Sequence, residues 1–136
     1  MPDPDAVREV AERWLAMAGE DLAAARLLAD AAGLDPALAG YHAQQAAEKA
    51  LKAMLVHAGA EVSRTHEVGR LRDLVAGLGV DGLPDRGDLD WLTLVGLGGR
   101  YPDGAPAVEP VAHEAQTAID LAAGIVAVAR RLLSAE

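Results

Sequence analysis

The stretch YHAQQAAEKALKAMLVHAG, residues 41–59, gives the strongest indication of the fold of this chain. Its apolar residues recur at steps of three and four, which predicts an α-helix and not a strand. Asp35 and Pro36 precede it as N-cap and first helical residue, and Gly59 ends it. The helix has a wide face of small side chains that suits close packing, made by Ala43, Ala46, Ala47, Ala50, Leu51, Met54 and Leu55.

A polar row lies beside this apolar face on the same helix. It consists of Tyr41, Gln45, Glu48 and Lys52, with Glu48 and Lys52 in the favourable i, i+4 order. Asp21 falls on the apolar stripe of the preceding helix, where a buried carboxylate must be paired. One interpretation is therefore structural: Asp21, Gln45, Glu48 and Lys52 form a buried polar network that sets the helix register.

Four more helices are predicted on either side of this segment. A long first helix runs from about Pro4 to Ala32, with Asp3 as its N-cap and Gly33 as its stop. Its apolar stripe consists of Val7, Val10, Trp14, Met17, Ala24 or Ala25, and Leu28. Two short helices cover about His66–Ala76, capped by Ser63 or Thr65, and Asp88–Val95, with a loop at 77–88. The last helix begins near Glu109 or Pro110 and ends at about Ser134.

The predicted fold is all-α, a single up-and-down helical bundle of three long and two short helices, in one domain over residues 1–136. Composition agrees, because aromatic residues are only 3% of the 136 residues and alanine is the best helix former. The absence of cysteine excludes disulfides, thiolate zinc sites and a cysteine nucleophile. No apolar run approaches the roughly 18 residues of a membrane span, and the acidic start does not resemble a signal peptide. We expect a cytoplasmic protein with no membrane contact.

The net charge of −9 argues against a broad nucleic-acid-binding face. The basic residues, however, concentrate in the middle of the chain, as Lys49, Lys52, Arg64, Arg70, Arg72, Arg86 and Arg100. They form an anion site only if folding brings them together, and are otherwise ordinary solvated charges. The glycine-rich GLGGR at 96–100 leaves a helix instead of entering one, so it lacks the pattern of a phosphate-binding loop.

The four histidines do not have the spacing of a metal site. They are His42, His57, His66 and His113. His66 is the best candidate for chemistry, because it lies at a predicted helix start just after Arg64. The positive end of the helix dipole would there favour a neutral imidazole that accepts a proton. The alternative is a histidine that only caps or packs at a turn.

Four segments together resemble the HEPN domain family, named for higher eukaryotes and prokaryotes and for nucleotide binding. QQAAEKALK at 44–52 resembles its signature helix, and GRYPD at 99–103 resembles the Arg-Tyr-Pro element before its last helix. WLAMAGEDLAAARLL at 14–28 and THEVGRLRDLV at 65–75 resemble its first helix and its histidine-containing third segment. The resemblance covers about residues 10–134 and implies a helical bundle that usually forms a homodimer.

The resemblance also implies functions. Many members are ribonucleases, and many prokaryotic members act beside a small nucleotidyltransferase as a toxin–antitoxin pair. The ribonuclease members carry an Arg followed four to six residues later by a His, and they need no metal or other cofactor. The Arg stabilises phosphorane charge and the His moves the proton of the 2′-hydroxyl. Arg100 matches that Arg, but residues 104–106 are Gly, Ala and Pro, and His113 is thirteen positions further along.

Three functions remain open from the sequence. The first is a dimeric nucleotide- or RNA-binding module that works with a nucleotidyltransferase, in which Arg100, Tyr101, Lys52 and Lys49 bind the ligand. The second is a metal-independent ribonuclease in which Arg100 acts with His66 or His113. The third is a structural helical adaptor, in which the polar network only sets the helix register.

Overall fold

The structure of the chain, a computed structural model, describes residues 3–62, 64–97 and 112–135. Five helices lie in these ranges: α1 (Pro4–Asp30), α2 (Pro36–His57), α3 (Val68–Ala76), α4 (Arg86–Gly96) and α5 (Ala112–Ser134). The described residues contain no strand. The predicted all-α bundle of three long and two short helices is confirmed. Of the helices in these ranges, none has the length and apolar character that a membrane span requires.

Helix α2 lies at the centre of the bundle and contacts each of the other four helices. Its predicted small-residue face is buried throughout, which confirms the role assigned to the alanines. Because alanine has no side chain beyond Cβ, neighbouring helix backbones approach α2 closely. The core is completed by larger side chains of the other helices, among them Leu22, Leu71, Leu89, Leu92, Ile119 and Ile125.

The helix ends follow local chemistry, with some shifts from prediction. The side chains of Asp3 and Asp35 accept hydrogen bonds from the backbone N–H of residues 5 and 37, as expected of N-caps. Helix α1 ends two residues before the predicted Ala32. Helix α4 begins at Arg86, two residues before the predicted Asp88.

Helix α3 begins two residues after the predicted start, with Glu67 as its N-cap. The hydroxyl of Thr65 does not cap the helix; it accepts the N–H of Glu67 itself, at 3.2 Å. The other predicted cap, Ser63, lies outside the described residues, as do the predicted starts of the last helix at Glu109 or Pro110.

The predicted apolar stripe of α1 is confirmed at Ala25 and is wrong by about one position around the helix at its larger residues. The buried residues are Ala11, Ala18, Leu22 and Ala25. Trp14 and Met17 lie half-buried on the flank, and Val10 is exposed. The tight approach to α2 requires alanine at the contact, so the larger apolar side chains are displaced to the edge of the interface.

Two glycines let α4 approach α2 closely. A Cβ on Gly40 would overlap Val95 Cγ1, and a Cβ on Gly96 would lie 2.6 Å from Gln44 Cγ. Both approaches are too close for real atoms. The C-terminal end of α4 is thereby held against the polar residues of α2.

Candidate functional site

A cavity of about 580 Å³ opens between α2, the segment before α3 and the C-terminal end of α4. We call it the groove. It is lined by Tyr41, Gln44, Gln45, His66, Glu67, Thr93, Leu94, Gly96 and Leu97. Its volume falls in the range of small-ligand sites. The sequence-predicted ligand residues Arg100 and Tyr101 follow Leu97 by three and four positions and lie outside the described residues.

Glu48 is the centre of the polar groups next to the groove. Its side chain is only 5% exposed. It accepts hydrogen bonds from Lys52 Nζ at 3.1 Å and from Gln44 Nε2 at 3.2 Å. His66 Nδ1 lies 3.1 and 3.2 Å from its two carboxylate oxygens. An ionised carboxylate only accepts hydrogen bonds, so this contact assigns the proton of His66 to Nδ1.

The imidazole of His66 is 79% exposed although Glu48 holds one of its nitrogens. With Nδ1 donating to Glu48, the neutral ring keeps the lone pair of Nε2 for another partner. The predicted place of His66 at the helix start is wrong, because it lies one residue before the N-cap Glu67. Its orientation comes from the carboxylate of Glu48 on α2. The pair has the arrangement in which a carboxylate orients a histidine for proton transfer.

Lys52, which the sequence suggested for ligand binding, does not offer its ammonium group to the groove. Its side chain is 7% exposed and bonds Glu48. Its Nζ also lies 5.7 Å from the ring centroid of Trp14, in a cation–π contact. Lys52 and Glu48 together carry no net charge, so the carboxylate beneath the groove does not repel an anion as an unpaired one would.

A second acid–histidine–lysine cluster joins α1 to α2. Asp21 lies between Lys49 Nζ at 2.5 Å and His42 Nδ1 at 3.0 Å. The residues proposed as one structural network therefore fall into two groups. Asp21 belongs to this cluster, and Gln45 joins the Glu48 cluster by donating from Nε2 to Gln44 Oε1 at 2.8 Å. Lys49, the other lysine suggested as a ligand residue, is paired with Asp21.

Gln44 and His42 are not among the site residues predicted from the sequence. For Gln44 a signal existed, because it precedes Glu48 by four residues and so shares its helix face. For His42 there was none, since its partner Asp21 is on another helix. Each buried side-chain nitrogen and oxygen of the described residues has a hydrogen-bond partner.

Other candidate residues lie away from the groove. Arg72 and Arg86 bind Asp73, and Arg86 also binds Asp90. Hydrogen bonds from Arg86 and Arg72 lower the pKa of Asp73 below its ordinary value of 3.8. The same kind of bond, to Asp90 and Asp73, raises the pKa of Arg86.

Of the remaining histidines, the structure describes the side chain of His57 and not that of His113. His57 lines a different cavity, beside Pro4 and Arg8, and the side chain of His113 lies outside the described residues. Within the part of the chain that the structure describes, no three His, Asp or Glu side chains are grouped to hold a metal ion.

Comparison with known proteins gives one family. Residues 11–132 match the sequence model of the HEPN domain. The fold is similar to the crystal structure of TT1696 from Thermus thermophilus, with a TM-score of 0.70 and 33% identity over 89% of this chain and 96% of that one. It is also similar to ST0689, described as an archaeal HEPN homologue, with a TM-score of 0.63 and 26% identity over 91% of this chain and 98% of that one. No functionally curated protein matches the chain.

Proposed function

The chain belongs to the HEPN domain family, a family of nucleotide-binding and ribonuclease-type proteins, and from this premise we propose that it binds single-stranded RNA in the groove and cleaves it without a metal ion. One observation carries the proposal: buried Glu48 holds the exposed imidazole of His66 at the wall of the groove. If Glu48 and Lys52 only stabilised the fold, their pair would not need the exposed imidazole of His66 as a third member.

The proposed reaction is an internal transfer at phosphorus. His66 Nε2 takes the proton of a 2′-hydroxyl, and the 2′-oxygen attacks the adjacent phosphorus. The bond from phosphorus to the 5′-oxygen breaks, and water protonates the leaving oxygen. The products are a 2′,3′-cyclic phosphate end and a 5′-hydroxyl end. Glu48 keeps the ring in the required tautomer and stabilises the imidazolium that forms.

Phosphate recognition is assigned to residues that follow the lining residue Leu97 in the sequence. Arg100 follows Leu97 by three positions, and we assign it to the phosphorane charge. Tyr101 is assigned to stacking on the ligand. Lys52 acts through Glu48 in this scheme, and Lys49 through Asp21. With a net charge of −9 on the whole chain, attraction of RNA is confined to this local site.

A second candidate is an RNA- or nucleotide-binding module that does not cleave. The sequence favours it at one point, because the Arg and His spacing of the ribonuclease members is absent after Arg100. In either case the proposal includes a homodimer and, by family membership, a small nucleotidyltransferase partner in a toxin–antitoxin-type pair. Affinity purification of the tagged chain from its own cells, with mass spectrometry, tests the partner.

The deciding experiment is an RNA cleavage assay in excess EDTA with a fluorescent single-stranded substrate. We expect cleavage by the wild type, with cyclic phosphate ends. His66→Ala should lower the rate by about 10² to 10⁴-fold, the usual contribution of a general base. Glu48→Gln should lower it as well, because a glutamine can present its N–H to Nδ1 and favour the wrong tautomer.

His57→Ala is the matched control, since His57 is exposed at the other end of α2 and lies outside the groove. Its rate should equal the wild-type rate. RNA binding with no cleavage in any variant would establish the second candidate. Cleavage that is unchanged by His66→Ala would overturn the assignment of His66 as base.

A further inference from the structure

The α2 wall of the groove carries an exposed aromatic ring that the proposed reaction does not use. Tyr41 lines the groove and is 47% exposed. Its ring meets that of His42 edge-on, with centroids 5.3 Å apart and planes at 81°. A tyrosine face open to a groove is a surface on which an unstacked nucleobase can lie.

The ring of Tyr41 is held in place by its contact with His42. His42 cannot turn freely, because Asp21 of α1 binds its Nδ1 at 3.0 Å. Asp21 is in turn fixed by Lys49 at 2.5 Å. The second cluster thus holds in place the imidazole that contacts the ring of Tyr41, so the position of the stacking ring is preorganised.

Gln45 lies in the same wall with a defined amide orientation. Gln44 Nε2 donates to Glu48 Oε1 and to the backbone oxygen of His66, both at 3.2 Å. Both partners only accept, so Gln44 uses its two N–H groups there and its Oε1 must accept from Gln45. Gln45 therefore keeps one N–H and its carbonyl oxygen for a ligand in the groove.

A glutamine that presents one donor and one acceptor can bind the N6–H and N7 edge of adenine, and a purine offers the ring of Tyr41 a larger stacking face than uracil or cytosine does. We propose that the groove binds an adenine base of single-stranded RNA, stacked on Tyr41 and recognised by Gln45, with Asp21, His42 and Lys49 as positioning residues for Tyr41. This inference rests on the proposed RNA-binding function and adds the base that it prefers.

Fluorescence anisotropy with 2′-O-methyl oligomers of A, U or C tests the preference, because these ligands have no 2′-hydroxyl to react. The wild type should bind the A oligomer about tenfold more tightly than the others, at the scale of one good base contact. Gln45→Leu should abolish that difference while some affinity for each oligomer remains.

Tyr41→Ala should weaken binding to all oligomers by about tenfold or more, as expected when a stacking face is lost. Tyr41→Phe keeps the ring and should bind as the wild type does, which also controls for folding. In the positioning variant His42→Ala, affinity should fall while the rate at saturating RNA is retained.

The outcomes separate the two proposals. If the wild type binds none of the oligomers and cleaves no RNA, the proposed function fails and takes this inference with it. If it binds all three equally and Gln45→Leu changes nothing, the adenine inference is overturned and the RNA-binding function stands. Loss of affinity in Tyr41→Phe equal to that in Tyr41→Ala would contradict the stacking role.

Discussion

Two clusters adjoin helix α2, and each consists of a carboxylate, a histidine and a lysine. They differ in which of the three side chains is exposed to solvent. In the first, Glu48 and Lys52 are almost fully buried and His66 is 79% exposed. In the second, the carboxylate of Asp21 is 14% exposed and His42 is 33% exposed. Both carboxylates bind a histidine through Nδ1. Chemistry alone therefore does not distinguish the two clusters.

The different exposure of the two histidines shows that burial assigns the role of each cluster. A buried carboxylate with an exposed imidazole leaves a reactive nitrogen facing the groove, whereas a half-buried imidazole packed against Tyr41 has its ring committed to packing. The buried pair is also the more demanding one, because two charges have left water. Variants that treat the clusters alike should therefore give unequal results.

The largest difference is expected when each lysine is removed. Lys52→Met leaves Glu48 buried without its cation, which should cost about 3 kcal/mol or more of the free energy of unfolding. Lys49→Met removes one of the two partners of a carboxylate that is less buried than Glu48, so it should cost less, about 1 to 2 kcal/mol. Urea denaturation of both variants measures the contrast.

A double variant sharpens this test. Glu48→Leu with Lys52→Met removes both buried charges and fills the space with apolar atoms, so it should recover much of the stability that Lys52→Met alone loses. If Lys52→Met and Lys49→Met lowered the free energy of unfolding equally, the difference in burial between the clusters would have no effect on stability.

The next largest effect is expected at the contact that holds Gln44 in the first cluster. Gly96→Ala places a Cβ 2.6 Å from Gln44 Cγ, and the overpacking should cost about 2 kcal/mol. Gly124→Ala on α5 meets nothing within 4 Å and should stabilise the fold by up to about 1 kcal/mol. Thermal unfolding distinguishes the two directions. A neutral Gly96→Ala would mean that α4 can move away from α2 without loss.

Local patterns predicted much of the fold but only part of the site. The alanine face of α2 and its start at Asp35 and Pro36 depend on neighbours three or four residues away, so they can be read from the sequence. The pairing of Glu48 with His66 depends on the path of the chain between α2 and α3. The pairing of Asp21 with His42 depends on how α1 and α2 are placed, which no local spacing encodes.

The α1 error has a related cause. The prediction placed the largest apolar side chains, such as Trp14 and Met17, at the centre of the stripe. Close packing against α2 places Ala11 and Ala18 there instead, while Ala25, which the prediction included, is buried as expected. Where alanine faces bring two helices together, Trp14 and Met17 are displaced to the flank, although Leu22 is still buried in the core.

His42→Ala and His66→Ala should rank in opposite order for stability and for activity. The first should lose more stability, and the second should lose more RNA cleavage. His42→Ala removes a half-buried ring that bonds Asp21 and contacts Tyr41, at a cost of about 1 kcal/mol. His66→Ala removes an exposed ring, while Glu48 keeps Gln44 and Lys52, so it should cost less than about 0.5 kcal/mol. Urea denaturation gives both values. A His66→Ala variant less stable than His42→Ala would reverse the roles assigned to the clusters.

The smallest effect is expected in a third group of paired charges, around Asp73, which is exposed to solvent. Asp73 binds Arg72 and Arg86, and these bonds lower its pKa in the folded state below the ordinary 3.8. Folding then disfavours the protonated acid, so the contribution is complete above that ordinary value and disappears as the pH falls through the lower folded pKa. Asp73→Asn should be slightly less stable than the wild type at neutral pH, and the difference should vanish in acid.

Salt and a matched variant complete this last test. Added salt at neutral pH should shrink the Asp73→Asn difference, because exposed charges are screened, and should leave the Lys52→Met loss largely intact, because the Glu48 pair is buried. Asp81→Asn is the control, since Asp81 is exposed and has no ion pair with another described residue; its stability should follow the wild type across the same pH range. Salt could instead reduce the stability loss of Lys52→Met as strongly as it reduces that of Asp73→Asn. Glu48 would then be as well solvated as Asp73, which would contradict the argument that burial of Glu48 gives His66 its role.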